Sequence, residues 1–173
     1  MNLLKSTGVT RKIDELGRVV IPKEIRKNLG IRDGEYLEIF TNEDSIILKK
    51  YFEVKKIEDK VLNLCELINN IFNIDIIITD REKVIATSYN EELKGKIISE
   101  LCINLIDNRE QYISKSIDIL SFEDNQINGY FTIVPLINES DSIGLVILVS
   151  NEDNKYLSLA KLLVSIIIEK INS

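Results

Sequence analysis

Nine residues, Asp14 to Pro22, constrain this chain most, because they place a turn, a strand and a helix start next to one another. Gly17 supplies the turn, since glycine adopts a positive φ without a Cβ penalty. The β-branched run Val19-Val20-Ile21 predicts a short strand that is covered on both faces. Pro22 already has a helical φ, and the N–H that it lacks is unpaired at a helix start. The stretch predicts a hairpin followed directly by a short helix that Gly30 ends.

More strand signals lie on both sides of this stretch. Val9 to Asp14 alternates between two faces, and the turn dipeptide Asp33-Gly34 precedes two further strands. These are Tyr36–Thr41 and Ser45–Lys50, joined by Asn42 to Asp44. The predicted order is β-β-α-β-β within about fifty residues, a size at which surface dominates over core. We therefore expect an obligate dimer whose two copies share one core.

Basic residues are concentrated in this part of the chain. Residues 1–32 contain eight lysines and arginines against three acidic residues, a net charge of +5. Since the whole chain carries −6, the remaining 141 residues carry −11. On the predicted helix Lys23 and Lys27 repel each other by roughly 0.2–0.5 kcal/mol, which suggests a use outside the fold. The pattern favours a nucleic-acid interface, and a merely solvated basic face is the alternative.

Five motifs of this region carry a specific resemblance. They are Lys5–Val9, Arg11–Pro22, Leu29–Ile31, Leu37–Ile39 and Ile46–Tyr51. Together they closely resemble the AbrB family of transition-state regulators. The resemblance implies a swapped-hairpin dimer that interleaves the strands of two chains and binds double-stranded DNA through the first hairpin and the helix. Sequence-dependent DNA shape would add a preference for AT-rich sites.

The expected DNA-binding residues combine the positions that the resemblance implies with the neighbouring lysines. They are Arg11, Lys12, Arg18, Lys23, Arg26 and Lys27. Lys27 stands where the family commonly has an arginine. Because lysine donates as a point charge rather than as a planar fork, we expect Lys27 to contact phosphate rather than to read bases.

A second domain is predicted over residues 53–173, behind a DNA-binding domain of residues 1–52. Near Tyr51 to Lys56 the composition turns acidic, and apolar residues take a 3-4 spacing typical of a helical seam. The predicted assembly residues are Val54, Ile57, Val61, Leu64, Ile68 and Ile71, and, in a last helix from Lys155 to Ile171, Leu157, Ala160, Val164, Ile167 and Ile171. Doubled in a dimer, these helices would form a four-helix bundle and a homotetramer. The alternative is that they pack only on their own sheet.

Between these helices strands and a helix alternate. The predicted strands are Asp75–Thr79, Val84–Ser88, Ser116–Ser121, Gly129–Ile137 and Ser142–Ser150, and Glu91–Asn108 is predicted to be mostly helical. The order predicts a central antiparallel sheet with flanking helices, similar to GAF and PAS small-molecule sensors, so the expected fold class of the chain is α+β. An unknown small molecule is the expected ligand, with Tyr112 and Tyr130 as possible polar contacts.

Enzyme chemistry finds little support. The chain has no histidine, which removes Ser–His and Cys–His pairs and most zinc sites. It also lacks glycine-rich phosphate-binding motifs and a C-x-x-C pair. Cys65 and Cys102 are expected to be reduced thiols in or near the core. The acidic residues near turns, among them Asp80, are expected to be solvated. We expect no enzymatic activity, no cofactor and no metal.

Three functions remain open. The favoured one, implied by the resemblance, is an activator and repressor of sporulation-stage genes in the cytoplasm, associated with the nucleoid. Its second domain senses a signal or assembles dimers into tetramers. The alternative is the antitoxin of a toxin–antitoxin pair with an AbrB-like head, and a DNA-controlled enzyme domain comes third. No membrane association is expected, because the longest apolar stretches are far below the ~20 residues that span a bilayer and no signal-peptide-like segment precedes Lys5.

Overall fold

The computed structural model of the chain describes residues 6–153 and 156–173, so Lys5 and Lys155 lie outside the described residues. The chain divides into two compact units, Met1–Tyr51 and Phe52–Ser173. Helices and antiparallel sheets both occur, which confirms the α+β class. No helix within the described ranges is long and apolar enough to cross a membrane.

Residues 6–51, the described part of the first unit, contain one helix and one hairpin. Helix α1 spans Lys23–Asn28, directly after Pro22, and strands β1 (Leu37–Asn42) and β2 (Ser45–Lys50) pair in antiparallel register. The hairpin loop is only Glu43-Asp44, one residue shorter than predicted, because Asn42 pairs with Ser45. Gly17 and Gly30 have φ of +76° and +63°, which confirms the turn and the helix end that the sequence predicts.

The two strands predicted before α1 are not formed in the single chain. Residues 6–13 and 18–22 have no regular hydrogen-bonded structure, and only a turn at Glu15 to Gly17 separates them. The reason is that a strand needs a neighbour to satisfy its N–H and C=O groups. Within the described part of the chain, one ladder-like backbone bond closes the turn between the two segments, from Asp14 N–H to Arg18 O at 3.1 Å.

The described part of the first unit also lacks a core of its own. No residue from 6 to 51 is buried. The large apolar side chains that remain exposed are Val9, Ile13, Leu16, Val19, Val20, Leu29, Tyr36, Ile39, Phe40, Ile46 and Leu48. Soluble monomers rarely leave so many large apolar side chains of one unit uncovered.

The second unit is built around a six-stranded sheet. Its helices are α2 (Glu53–Lys56), α3 (Glu58–Phe72), α4 (Glu100–Asn108) and α5 (Leu157–Ile171). Its strands are β3 (Asp75–Thr79), β4 (Val84–Thr87), β5 (Tyr112–Ile113), β6 (Asp118–Phe122), β7 (Asn125–Asn138) and β8 (Asp141–Ser150). The order across the sheet is β4-β3-β8-β7-β5, with β6 paired to the first part of β7. The short β5 is the strand that the sequence did not predict.

Side chains on the two faces of this sheet form two cores. Along β3, Ile76 and Ile78 join the core under α2, α3 and α5, whereas Ile77 joins the core under α4 and the β6–β7 ribbon. This division follows from the alternation of side chains along a strand. The continuous apolar run in β8 is explained in the same way, because both faces of that strand are covered.

The predicted helix Glu91–Asn108 is wrong in its first half. Glu91–Leu93 form a single 3₁₀ turn, and α4 begins only at Glu100. Gly95 has a φ of +80°, which ends helical structure there. Lys83 and Phe122 form β-bridges to Ile97 and Ile98, so backbone pairing replaces the helix. Ser99 then caps α4 by accepting a bond from Cys102 N–H.

Most of the predicted assembly residues face their own domain. The first predicted helix is broken at Ile57, and Val54, Ile57, Val61 and Ile68 are buried under the sheet, as are Ala160 and Ile167 of α5. Leu64, Leu157, Val164 and Ile171 are partly buried against the same core. Only Ile71 of the set is exposed, at 62%. The apolar residues with 3-4 spacing therefore face the sheet, where they bury the apolar side chains of β3 and β8.

Two further residue predictions have opposite outcomes. Cys65 and Cys102 are buried and unpaired, as expected, and burial raises the pKa of the Cys65 thiol to about 12. Asp80 was expected to be solvated, and this prediction is wrong, because the residue is only 3% exposed. It lies at the end of β3, where its carboxylate accepts bonds from the backbone N–H groups of Glu82 and Lys83 at 2.6 and 2.7 Å.

Candidate nucleic-acid interface

The turn at residues 14–18 fixes the base of the Arg18 side chain. Gly17 N–H donates to Asp14 O at 2.9 Å, and Asp14 Oδ1 accepts from the N–H groups of Leu16 and Arg18 at 3.0 and 2.8 Å. The backbone N–H of Arg18, and then its side chain, hold the pKa of the Asp14 carboxyl below its usual range. The carboxylate therefore stays charged and keeps the turn closed.

The Arg18 guanidinium is bonded at Nε, whereas its terminal nitrogens remain available. Its Nε donates to Asp14 Oδ2 at 2.7 Å, while the side chain remains 72% exposed. Because a guanidinium offers five N–H donors, the terminal nitrogens keep donors for a ligand. Asp14 thus restrains the Arg18 side chain through an ion pair at Nε and leaves most of the side chain exposed.

Arg26, on α1, has a different environment. Its side chain is 32% exposed and forms an ion pair with Asp33, which is 93% exposed. The Arg26 Nε is buried without a hydrogen-bond partner in the described chain. This ion pair joins α1 to the Asp33-Gly34 turn and competes with any other anion for Arg26.

The remaining predicted DNA-binding residues are exposed. Lys12 precedes the turn, and Lys23 and Lys27 lie on α1, one turn apart. Arg11 donates from one terminal nitrogen to Thr10 O at 2.9 Å. Within the described part of the chain none of these four side chains forms an ion pair, so their charges face solvent.

The structure places the six predicted residues on two neighbouring segments of one unit. Arg11, Lys12 and Arg18 flank the turn, and Lys23, Arg26 and Lys27 belong to α1, which begins five residues after Arg18. Sequence reasoning missed the two carboxylates that pair with the arginines. The i, i+4 spacing of Asp14 and Arg18 was a usable signal, but the pair of Arg26 and Asp33 has no local signature.

Comparisons with known proteins identify relatives of both units. Residues 10–56 match a family described as antidote-toxin recognition MazE, bacterial antitoxin, and residues 49–167 match the family of the stage V sporulation protein T C-terminal, transcription factor. The chain is 36% identical over 155 residues to stage V sporulation protein T of Bacillus subtilis (strain 168), covering 86% of each chain.

The first unit has relatives of its own. It is 60% identical over 48 residues to the transition state regulatory protein AbrB of Bacillus subtilis (strain 168), which corresponds to 28% of this chain and half of that protein. The solution structure of the N-terminal DNA recognition domain of AbrB is 60% identical to it. That comparison covers 28% of this chain and 91% of the domain, with a TM-score of 0.24.

The fold, the exposed basic side chains and these matches define a transcription regulator with an AbrB-type N-terminal domain. Since one family covers residues 49–167 and the similarity to its full-length relative covers 86% of the chain, the chain belongs to the stage V sporulation protein T family.

Proposed function

We propose that this protein regulates transcription by binding double-stranded DNA with paired copies of its first unit. The observation that carries the proposal is the combination of exposed basic side chains and exposed apolar side chains in residues 6–51, none of which is buried. The lysine and arginine side chains supply a surface for phosphate. The apolar side chains supply a surface for a second copy.

A second copy would cover the exposed apolar side chains of the first unit and would pair with its extended segments. It covers apolar side chains such as Val19 and Val20, which are 51% and 73% exposed. It also offers neighbouring strands to the extended segments on both sides of the Gly17 turn. An interleaved dimer of this kind brings twelve of the proposed DNA-binding side chains, six from each copy, into one assembly.

DNA contact follows from the chemistry of these side chains. The exposed guanidinium of Arg18 suits bidentate contact with guanine O6 and N7 in the major groove. Lys12, Lys23 and Lys27 suit phosphate, which positions the protein without reading sequence. Preference for AT-rich DNA would then come from groove shape and deformability rather than from base contacts.

The salt dependence of binding tests the electrostatic part of this proposal. If the dimer neutralises about eight phosphates, log K falls with log salt at a slope of about −7. We expect this slope from fluorescence anisotropy titrations of a labelled AT-rich duplex with the full chain between 50 and 200 mM salt. A slope near zero would contradict the proposal.

Replacing Asp33 by asparagine should strengthen DNA binding. The substitution removes the carboxylate that competes with phosphate for Arg26. Because exposed ion pairs contribute up to about 1 kcal/mol, we expect a gain of about twofold to fivefold in affinity. Asp44→Asn, an equal change of charge in the β1–β2 loop, is the control. If both variants gain equally, net charge explains the effect and the ion pair does not.

The second unit is proposed to sense a signal or to assemble dimers into tetramers. Its helices keep an apolar surface after their inner faces are buried. Leu67, Ile71 and Phe72 of α3 are 54%, 62% and 49% exposed, and Leu162 of α5 is 55% exposed. These exposed side chains, rather than most of the assembly residues predicted from the sequence, are the candidates for contact between dimers.

The targets and the cellular place of the protein are proposed from its relatives. Because the chain is similar to stage V sporulation protein T over most of its length, we infer that it acts on sporulation-stage genes, as activator and repressor. It would then work in the cytoplasm, associated with the nucleoid. Transcript levels in a deletion strain during sporulation test this inference, and an unchanged profile would overturn it.

An antitoxin role is the second candidate, favoured by the match of residues 10–56 to the MazE antitoxin family. A binding tail for a toxin is usually disordered until it binds. Here the chain after residue 51 has instead two apolar cores of its own. A small protein that co-purifies in fixed ratio with the full chain from its host would favour the antitoxin. A homo-oligomer without such a partner would favour the regulator.

A further inference from the structure

Asp14 places a negative charge inside the proposed DNA interface. It lies between Lys12 and Arg18 in the chain, and its side chain is 42% exposed. A carboxylate repels the phosphates of DNA. By its charge alone Asp14 therefore weakens DNA binding, so any benefit that it brings to the interface must come from its contacts.

The two carboxylate oxygens of Asp14 have different partners. Oδ1 accepts from the backbone N–H groups of Leu16 and Arg18 at 3.0 and 2.8 Å, an arrangement that both aspartate and asparagine form in turns. Oδ2 accepts from Arg18 Nε at 2.7 Å. Asparagine can replace the first oxygen but not the second, because its amide nitrogen donates rather than accepts. One substitution can therefore remove the ion pair and keep the turn.

The ion pair occupies one edge of the Arg18 guanidinium. A guanidinium makes two parallel hydrogen bonds either from Nε and one terminal nitrogen or from both terminal nitrogens. Because Nε is bonded to Asp14, the edge formed by the two terminal nitrogens remains. Neither of these nitrogens donates to an acceptor among the described residues. That edge suits O6 and N7 of guanine.

Restraint at Nε also changes what Arg18 can recognise. A side chain that is already restrained loses less freedom when it binds a base edge. An unrestrained arginine, in contrast, can bind phosphates in many orientations, and phosphate contacts carry no sequence information. We propose that Asp14 is a positioning residue that determines the sequence specificity of DNA binding, by holding Arg18 at Nε so that its terminal nitrogens meet a base edge. This inference rests on the proposed function and deepens it.

Charge and positioning predict different results for Asp14→Asn. The probes are a duplex that the unchanged protein selects from a random library and a scrambled duplex of the same length and base composition. Loss of a negative charge alone raises the affinity for both. Loss of positioning raises only the affinity for the scrambled duplex. In anisotropy titrations of the full chain we expect the ratio of the two affinities to fall by about tenfold, which is part of the discrimination that bidentate contacts provide.

Glu15→Gln is the matched control, because it removes the same charge one residue away. Glu15 is exposed and forms no hydrogen bond or ion pair with a described residue. We expect this variant to raise both affinities alike and to leave their ratio unchanged. If Asp14→Asn gives the same result, its charge explains the effect. If Asp14→Asn lowers both affinities equally, the residue only supports the fold. Either result overturns the proposal.

The background Arg18→Lys separates positioning from a structural role of the turn. Lysine has no planar fork of donors, so Asp14 has no guanidinium edge to select. Adding Asp14→Asn in this background should leave the affinity ratio unchanged within about twofold, since interaction between two residues vanishes when one of them is replaced. An equal fall of the ratio in both backgrounds would mean that Asp14 acts through the turn alone, and would overturn the proposal.

Nuclear magnetic resonance observes the ion pair without depending on how a variant folds. The chain has six arginines, so arginine-labelled protein has six Nε–H groups to resolve. We expect the Arg18 Nε–H to exchange slowly with solvent in the free protein and in its complex with the selected duplex, and to exchange fast in Asp14→Asn. Fast exchange in the complex of the unchanged protein would show that Nε is not held, and would overturn the proposal.

The unchanged protein also separates this inference from the proposed function. If it binds neither duplex, the proposed function is overturned, and the role of Asp14 with it. If it binds the selected duplex and Asp14→Asn keeps the same affinity ratio, the positioning role alone is overturned and the regulator stands.

Discussion

The double variant Arg18→Ala, Arg26→Ala is expected to lose about a thousandfold or more in DNA affinity, because a dimer loses four guanidinium groups that each contribute about 1–3 kcal/mol. Arg18 is 72% exposed, with an ion pair to Asp14 at Nε, so its removal leaves no cavity. Arg26 contributes an ion pair with Asp33 at the surface. Anisotropy titration with a duplex measures the loss, and circular dichroism checks that the fold is kept.

The matched control for this variant changes the same number of charges elsewhere. Lys60→Ala with Lys115→Ala removes two exposed cations from the second unit. If long-range charge dominated, both double variants would lose affinity alike. A loss confined to the Arg18, Arg26 variant supports direct contact, and full affinity of that variant would exclude these residues from the interface.

The substitution Gly144→Ala should strongly destabilise the second unit. A Cβ at this position in β8 would lie 1.9 Å from Thr79 O, 2.9 Å from Thr79 C and 3.1 Å from Asp80 Cα. All three are backbone atoms of the neighbouring strand end, so no rotamer change relieves the clash. Since β3 and β8 pair from Asp75 to Thr79, the strands must separate where they hydrogen-bond. We expect the free energy of unfolding to fall by about 3 kcal/mol or more.

Gly95→Ala provides the comparison for that prediction. Gly95 has a φ of +80°, but nothing lies within 4 Å of its added Cβ. The cost is then only that of a left-handed backbone, about 1–2 kcal/mol. Urea denaturation of both full-length variants, followed by circular dichroism, measures the difference. Equal stability of the Gly144→Ala protein and the parent would show that β3 and β8 do not approach as closely as described.

Local pattern predicted those parts of the fold that depend on local structure. The sequence predicted a strand at Ser142–Ser150, and β8 spans Asp141–Ser150. Gly30 predicted the end of α1 because only a residue that tolerates positive φ fits after a helix. The first half of Glu91–Asn108 was misjudged because its leucine and isoleucine spacing suits a helix, whereas the β-bridges of Ile97 and Ile98 depend on distant partners.

The sequence predicts a basic nucleic-acid interface in the first unit, but it does not predict the ion pairs of the arginines there. Basic composition and family resemblance name Arg18 and Arg26 as candidate DNA-binding residues. Neither reveals that Asp33 lies against Arg26, because seven residues and a helix end separate them. The same limit applies to Asp80. A carboxylate between a strand and a charged loop is usually solvated, and only the approach of β8 through Gly144 shows that this one is enclosed.

The central claim is that two copies of the first unit together hold one duplex. A native mass spectrum of the full chain with an AT-rich duplex of about 30 base pairs tests it most directly. The proposal predicts complexes that contain two chains, or four where dimers associate through α3 and α5, for each duplex. A complex of one chain with one duplex, or a spectrum with no DNA-bound protein at low salt, would contradict it.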